Sequence, residues 1–335
     1  MSDLSGRVAL VTGSSRGLGF LLARELAREG CRVVICARDA AELERARDEL
    51  ARGGADVLAV RCDVSDRQQV ERLVEQTVQR YGSLDVLVNN AGIIQVGPVA
   101  TMTVEDFEDA LGVTFWAGVY ATLAALPHLR SARGRVVNIT SIGGKVSVPH
   151  LLPYSCAKFA AVGFSEGLAA ELAREGIRVT TVVPGLMRTG SPLNAFFKGR
   201  AEREYVWFTI GDSVPGLSMN AERAARRIVA AAKRGTPEIT LTLPAKLGAR
   251  LHGVAPGTVT RLLSVVNRLL PTADATSRTA VRGAEAHRAV RGPAFDRLVG
   301  LTLGAARRFN QLPGPTAAPP PLRSAEAGHG VGRPV

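Results

Sequence analysis

The chain has 335 residues, 46% of them hydrophobic, 21% charged and 5% aromatic, which allows a substantial core and excludes a mainly disordered or disulfide-stapled chain. Its 42 Lys and Arg outweigh 30 Asp and Glu for a net charge of +12. The excess is confined to one end: through Thr189 there are 21 basic and 21 acidic residues, and from Gly190 onward 21 basic against 9 acidic. That asymmetry points to a different partner or environment for the second part. The strong preference for Arg over Lys fits codon bias, but codon bias alone does not leave the part through Thr189 neutral. Cys31, Cys36, Cys62 and Cys156 form no C-x-x-C pair and adjoin no His cluster, so reduced thiols are expected rather than a disulfide framework or a metal site. The opening MSDLSGRVALVTG has no basic start followed by a long apolar run, so a cytoplasmic location is expected.

In chain order, short β-branched runs alternate with amphipathic helices. Strands are predicted at Arg7–Thr12, Arg32–Ala37, Val57–Cys62, Leu84–Asn89, Arg135–Thr140 and Arg178–Val183. Helices are predicted at Leu18–Glu29, Ala40–Arg52, Arg67–Tyr81 and Tyr154–Glu175. Ala110–Leu129 carries no charged residue over 20 positions, and it reads as a buried core or interface helix rather than a membrane span. Apolar strands separated by helices imply crossovers, hence a doubly wound α/β fold with a parallel sheet covered on both faces, of Rossmann type. Past Pro184 comes an excursion over 190–216. A helix follows at Ala221–Arg234, capped by Asn220 and stopped by Gly235, and then a strand at Glu238–Leu243. Residues 1–243 thus form one domain. A basic helical extension follows over 244–310, with helices at Thr258–Leu270 and Ala294–Phe309. Residues 311–335 form a Pro/Gly/Ala-rich tail expected to be disordered.

The first strand runs straight into Thr12-Gly13-Ser14-Ser15-Arg16-Gly17-Leu18-Gly19 and then a helix. Glycines there permit a tight turn and close approach of backbone to a pyrophosphate, which sits at the positive end of the helix. The strand–loop–helix context is what separates a dinucleotide loop from an ordinary turn. At the end of the second strand no acid precedes Arg38. Arg38 and Arg16 could hold the 2′-phosphate of NADP, with Asp39 blunting the effect, so NADP(H) is favoured over NAD(H).

Tyr154 and Lys158 are four apart, on one face of a helix. A tyrosine titrates near ~10, and an adjacent ammonium would lower that value towards usefulness as an acid or base. Ser141, just past a strand, could bind a substrate oxygen. Together these pieces resemble the short-chain dehydrogenase/reductase family, in its compact single-domain branch, from about Leu4 to about Leu243. The resemblance rests on T-G-x-x-x-G-x-G at Thr12–Gly19, C-D-V at Cys62–Val64, N-N-A-G at Asn89–Gly92, the Ser141, Tyr154 and Lys158 trio, and P-G-x-x-x-T at Pro184–Thr189.

The resemblance implies that Gly13, Ser14, Ser15, Arg16, Gly17, Leu18 and Gly19 surround the cofactor phosphates. Asp63 and Val64 would meet the adenine, Asn90 the adjoining ribose, and Thr189 the nicotinamide carboxamide. Tyr154 would be the acid/base, Lys158 would bind the nicotinamide ribose and depress the tyrosine, and Ser141 would orient the carbonyl or alcohol. No metal is expected. The family usually places an Asn in the long helix to hold a relay water; here Leu111-Gly112-Val113-Thr114-Phe115-Trp116 puts Thr114 there. A Thr hydroxyl can hold a water or turn back to the preceding helical turn. Thr114 and the long extension motivate a second reading, a non-catalytic dinucleotide-binding sensor or scaffold, against which the intact trio argues.

The expected substrate lid, 190–216, holds Phe196, Phe197, Tyr205, Trp207 and Phe208. These either dock the lid on the core or, with Leu151 and Leu152, line a cleft for a lipophilic steroid, terpenoid or long-chain substrate. In Thr258–Leu270, Arg261 and Arg268 share a face with Ser264 on an otherwise apolar helix, which could lie on an anionic membrane, cover the substrate mouth or meet a partner subunit. A homo-oligomer is expected. No nucleic-acid partner is expected, since the basic residues form no recognised motif and are not interleaved with aromatics.

Overall fold

The computed structural model describes residues 3–272 and 277–312; most of the predicted tail, 313–335, lies outside the described residues. Strands β1 (Val8–Val11), β2 (Arg32–Ala37), β3 (Val57–Arg61) and β4 (Val86–Asn89) alternate with helices α1 (Gly17–Arg28), α2 (Ala40–Arg52) and α3 (Arg67–Tyr81). The two-residue β5 (Gln95–Val96) leads to α4 (Val104–Leu111) and α5 (Ala117–Ala132). β6 (Arg135–Ile139), α6 (Leu152–Leu172) and β7 (Arg178–Val183) follow. Then come β8 (Met187–Arg188), α7 (Ser191–Asn194), β9 (Phe196–Phe197), α8 (Ala201–Ser213), β10 (Met219–Asn220), α9 (Ala221–Arg234) and β11 (Glu238–Thr240). The extension supplies α10 (Leu243–Val254), α11 (Pro256–Asn267), β12 (Val281–Arg282), α12 (Gly283–Val290), α13 (Pro293–Leu298) and α14 (Gly300–Arg308).

Seven strands form the central sheet in the order β11-β7-β6-β4-β1-β2-β3, every pair parallel. The order reverses direction beside β1, which opens a crevice at the carboxyl ends of β1 and β4. Strands β1 and β6 are buried along their whole length, as a sheet covered on both faces requires. One apolar cluster packs α1, α2 and α9 on one face, and another packs α3 and α5 on the other. Helix ends follow local chemistry: Asp39 and Asp66 accept first-turn amides of α2 and α3, Asn220 caps α9, and Gly235 closes α9 at φ +70°.

Three elements depart from the sequence expectation. The last strand stops at Thr240, because Thr242 caps α10 and Pro244 suits a helical first turn. The predicted helix Ala294–Phe309 is two helices, broken at Val299. The charge-free span lies within Val104–Ala132, long and apolar enough to cross a membrane by length and composition, yet only 33% of its most apolar window is buried in this chain. It is interrupted by a π-helical turn at Gly112–Trp116, a local widening that often marks functional positions.

Candidate active site

The glycine-rich loop leaves β1 through Gly13, at φ +61°, where an added Cβ would meet Ala91 Cα at 2.9 Å. At Gly19 an added Cβ would meet Gly13 O at 2.3 Å and Asn90 Nδ2 at 2.4 Å, so only glycine lets α1 pack on its own loop. Asn90 donates through Nδ2 to the carbonyls of Thr12 (2.9 Å) and Gly13 (3.0 Å), fastening β4 to the loop. Ser14 has a different task from the one expected beside a phosphate. Its hydroxyl donates to Val11 O at 2.6 Å and accepts from Cys36 N at 3.0 Å, pinning β1 to β2 with no exposure to spare. The parts suited to an anion are the backbone turn and the first turn of α1, which carries no side-chain cap.

Further along the crevice, Ser15 Oγ and Arg16 Nη1 both contact the buried Glu42 carboxylate, each at 2.8 Å. Arg16 is therefore compensated by a carboxylate that its sequence neighbourhood did not announce. Arg38 closes the end of β2, and Arg61 Nε donates to its carbonyl at 3.1 Å. Asp63 Oδ1 accepts from the amide and hydroxyl of Ser65, and Val64 is buried beside it. Arg282, on β12 of the extension, feels the charges of Arg16, Glu42, Arg38 and Asp39, and its pKa is lowered by burial and by both arginines. A third guanidinium thus reaches this end from the far part of the chain. On the other side, Thr189 is buried and its hydroxyl bonds Ser191 Oγ at 2.7 Å.

Ser141, Tyr154 and Lys158 converge at the carboxyl end of β6. Ser141 begins a 3-10 turn and accepts from Gly143 N at 3.0 Å, and it also hydrogen-bonds Tyr154. The Tyr154 ring lies against Gly143, where an added Cβ would meet Cε1 at 3.1 Å. Lys158 Nζ sits 5.7 Å from the centre of that ring and donates to Ile139 O at 2.8 Å. The expected depression of Tyr154 by Lys158 is not what this arrangement produces. Burial pushes the phenol up to about 12, the Ser141 hydrogen bond works against that rise, and Asp212 adds to it. Lys158 is itself pushed down to about 8 by burial, so it still carries its charge in most molecules at neutral pH and begins to lose it just above.

The π-turn delivers Thr114 to the same spot. An added Cβ at Gly92 would meet Thr114 Oγ1 at 3.4 Å and Lys158 Nζ at 3.7 Å, so the two side chains face one small space. The hydroxyl does not turn back to its own helix: Oγ1 is buried and makes no hydrogen bond among the described residues. Behind it a buried chain of polar groups ties the strands together, from Thr122 through Asn89, Asn138 and Ser165 to Thr181.

The aromatics of the expected lid are largely spent on packing. Phe197, Tyr205 and Phe208 are buried and meet edge to face, and Tyr205 continues to His287 and Phe295 of the extension. The same cluster includes Leu151, with Ile94, Val148, Tyr154 and Trp207 packed against it as partly buried members. The loop before Tyr154 is pinned to α8 by His150 Nδ1 against Glu204 at 2.9 Å, with Trp207 Nε1 donating to the same carboxylate at 2.6 Å. Asp212, from the last turn of α8, is the site residue that sequence reading missed. It is buried near Tyr154, and burial holds its carboxyl up at about 8. Its helix position carried no motif that would have found it. The extension also enters the crevice: Gln311, predicted to begin the tail, is buried against the glycine-rich loop.

A doubly wound sheet with a glycine-rich turn at the first helix, and a Ser, Tyr and Lys grouped at the carboxyl end of β6, defines a dinucleotide-dependent oxidoreductase scaffold. The short chain dehydrogenase family model matches residues 7–195, and the chain belongs to this family of short-chain dehydrogenase/reductase enzymes. A Streptomyces violaceoruber protein named for ketoacyl reduction in the granaticin polyketide synthase is 43% identical over 185 residues, 54% of this chain and 68% of that one. The 11-beta-hydroxysteroid dehydrogenase A of Sesamum indicum is 35% identical over 244 residues, 71% of this chain and 69% of that one. A crystal structure of an actinorhodin polyketide ketoreductase variant with NADPH superposes with a TM-score of 0.63 at 32% identity, covering 74% of this chain and 99% of that one.

Proposed function

We propose that this enzyme uses NADP(H) to move a hydride between nicotinamide and a carbonyl or secondary alcohol on a lipophilic substrate, with Tyr154 as the acid in reduction and the base in oxidation. The observation that carries this reading is the convergence of Ser141, Tyr154 and Lys158 in one corner beside the crevice, with Ser141 and Lys158 buried and Tyr154 partly so. The core residues fit a dinucleotide, since the turn at Gly13 and Gly19 leaves backbone where side chains would otherwise stand. The loop from Gly13 to Gly19 would hold its pyrophosphate, Asp63, Val64 and Asn90 its adenosine, and Thr189 its carboxamide. When bound, the dinucleotide supplies or accepts the hydride.

The chain's own part is proton management and positioning. A phenol held near 12 keeps its proton at neutral pH, which suits donation to a developing alkoxide. The Ser141 hydroxyl, already bonded to Tyr154, orients the substrate oxygen. Lys158, poised near 8, exchanges a proton in the physiological range, and the space it shares with Thr114 Oγ1 suits a relay water. Arg38, Arg16 and Arg282 together favour a 2′-phosphate, with Glu42 set against them. Ile94, Val148, Leu151 and Trp207 support an apolar substrate, and Asp212 offers it one polar contact.

Two surfaces support the expected assembly and location. Trp116, Leu123 and Phe159 are exposed on α5, α6 and the π-turn, which suits a homo-oligomer. On α10 and α11, Leu247, Leu251, Val254, Leu262 and Val265 are all more than half exposed, with Arg250, Arg261 and Arg268 nearby in the chain; this suits a cytoplasmic enzyme that touches an anionic bilayer. The test is NADPH oxidation against a panel of lipophilic ketones, wild type beside Tyr154→Phe. Turnover that disappears in the variant supports the reading, and no turnover on any ketone despite tight NADPH binding overturns it in favour of a sensor.

A further inference from the structure

Phe309, Asn310 and Gln311 stand at the opposite end of the described chain from the glycine-rich loop, yet they close on it with a dense set of hydrogen bonds. Gly17 N, in the first turn of α1, donates to Phe309 O at 2.9 Å. Asn310 Nδ2 donates to Ser15 O at 2.8 Å and Glu42 O at 3.0 Å, and Arg45 Nε donates to Asn310 Oδ1 at 3.2 Å. On the opposite wall, Gly190 N donates to Gln311 Oε1 at 2.6 Å, and Asn194 Nδ2 donates to Gln311 O at 3.0 Å. An added Cβ at Gly17 would meet Gln311 Nε2 at 2.8 Å, and one at Gly190 would meet Gln311 Cβ at 2.6 Å. The Gln311 side chain therefore spans the crevice between the loop that would hold the pyrophosphate and the segment just after Thr189.

The chemistry of the contact matches what it covers. A helix N-terminus attracts anions because its first amides lack partners. Here a backbone carbonyl, carrying partial negative charge, already accepts from Gly17, and a side-chain carbonyl accepts from Gly190. A phosphate needing those donors cannot share them with Phe309 and Gln311. The segment is also held in a conformation that few side chains adopt, Asn310 standing at φ +54°. Phe309 anchors it from behind in the core cluster with Phe20 and Ala305.

We propose that Phe309–Gln311 is an intramolecular strap that competes with the dinucleotide for the glycine-rich loop, so that cofactor entry requires the strap to be displaced. This rests on the dinucleotide reading above. On this account the extension sets the apparent cofactor affinity: the free enzyme is mostly strapped, and affinity is reduced by the fraction of molecules so closed.

The test is NADPH and NADH binding to the full chain, read by nicotinamide fluorescence, for wild type, Gln311→Ala and Asn310→Gly. Hydrogen exchange of residues 305–312 is followed with and without NADPH. Asn310→Gly keeps the left-handed backbone accessible while removing the bonds to Ser15 and Glu42, and Gln311→Ala leaves the Phe309 anchor, so both should fold. Each variant is expected to bind NADPH roughly 3- to 30-fold more tightly, the scale of one or two lost hydrogen bonds. Saturating NADPH is expected to speed exchange at 305–312. Unchanged or weaker binding in both variants, with exchange at 305–312 unchanged or slowed by NADPH, overturns the strap while leaving the dinucleotide reading intact. No binding of either dinucleotide by any form overturns that reading and the strap with it.

Discussion

Between Val8 and Thr189 the chain makes its site from bonds across adjacent strands. Ser14 ties β1 to β2, Asn90 ties β4 to the loop, and the chain of polar groups from Asn89 to Thr181 crosses β4, β6 and β7. From Gly190 to Leu312 the decisive bonds are between surfaces far apart in sequence: Lys198 to Asp106, Gly190 to Gln311, Ser213 to Thr302, Asn310 to Ser15. The first region is a scaffold whose site survives as long as the sheet does. In the second, the 190–216 excursion and the extension lean on one another through Tyr205, His287 and Phe295. On the proposed reading, the first arrangement fixes chemistry and the second decides what reaches it.

That division breaks most directly at Tyr154, which belongs wholly to the first region. Tyr154→Phe should lower turnover by roughly 10²- to 10⁴-fold, the usual contribution of a positioned acid, with NADPH affinity within about twofold of wild type. Steady-state kinetics beside fluorescence titration separate the two. A variant that loses affinity in proportion to turnover would mean that Tyr154 builds the crevice rather than acting in it.

Phe309→Ala asks whether the second region is accessory. Phe309 is fully buried in the same cluster as Phe20 and Ile35, so truncation should cost about 3–5 kcal/mol in denaturant unfolding, as for a phenylalanine of the central core. A loss under about 1 kcal/mol would make the extension a loosely attached arm.

Asp212→Asn tests the seam between the regions. The Asp212 carboxyl titrates near 8 in the folded protein, well above its value of 3.8 in the open chain. A raised acid gives its full stability below the open-chain value and loses it as pH climbs through the folded value, so wild type should weaken between about pH 4 and pH 8. The Asn variant should match wild type at pH 4 and exceed it by about 2 kcal/mol at pH 9. Because Asp212 also raises Tyr154, the same variant should move the alkaline limb of the pH–rate profile to lower pH. Parallel melting curves at both pH values would remove Asp212 from the buried site.

Much of the first region was legible in the sequence because its constraints are local. A glycine between strand and helix and a tyrosine four residues before a lysine each state a geometry within a few positions. What escaped has no local signature. Glu42 looked like an ordinary helix residue until folding set it against Ser15 and Arg16. Asp212 lies on a helix without a motif. Gln311 sits where Pro, Gly and Ala begin to dominate and reads as tail, although its side chain bridges Gly17 and Gly190, one from each region. The direction of the Tyr154 shift was also out of reach, because the spacing to Lys158 says nothing of how deeply both groups are buried.

The cofactor end gives a smaller effect that spans both regions. Arg38→Ala should lower the preference for NADPH over NADH by about tenfold, the scale of one charge-assisted contact, and Arg282→Ala should lower it less. Competitive titration with both dinucleotides measures the ratio. An effect from Arg282 alone would place recognition of the 2′-phosphate on the extension.

Thr114→Asn is the finest probe, since it changes one buried side chain within the first region. Thr114 Oγ1 lacks a hydrogen-bond partner among the described residues and shares its space with Lys158 Nζ, so a longer amide can reach farther towards the lysine without displacing a bond already made. Turnover should stay level or rise by a few-fold, an effect well under the roughly 1.4 kcal/mol that separates tenfold steps. The pH–rate profile should keep its shape, because neither Tyr154 nor Lys158 changes neighbours of opposite charge. A large loss of turnover with normal NADPH binding would show that the π-turn is built for a hydroxyl, and that Thr114 does its own work in this site rather than approximating an asparagine.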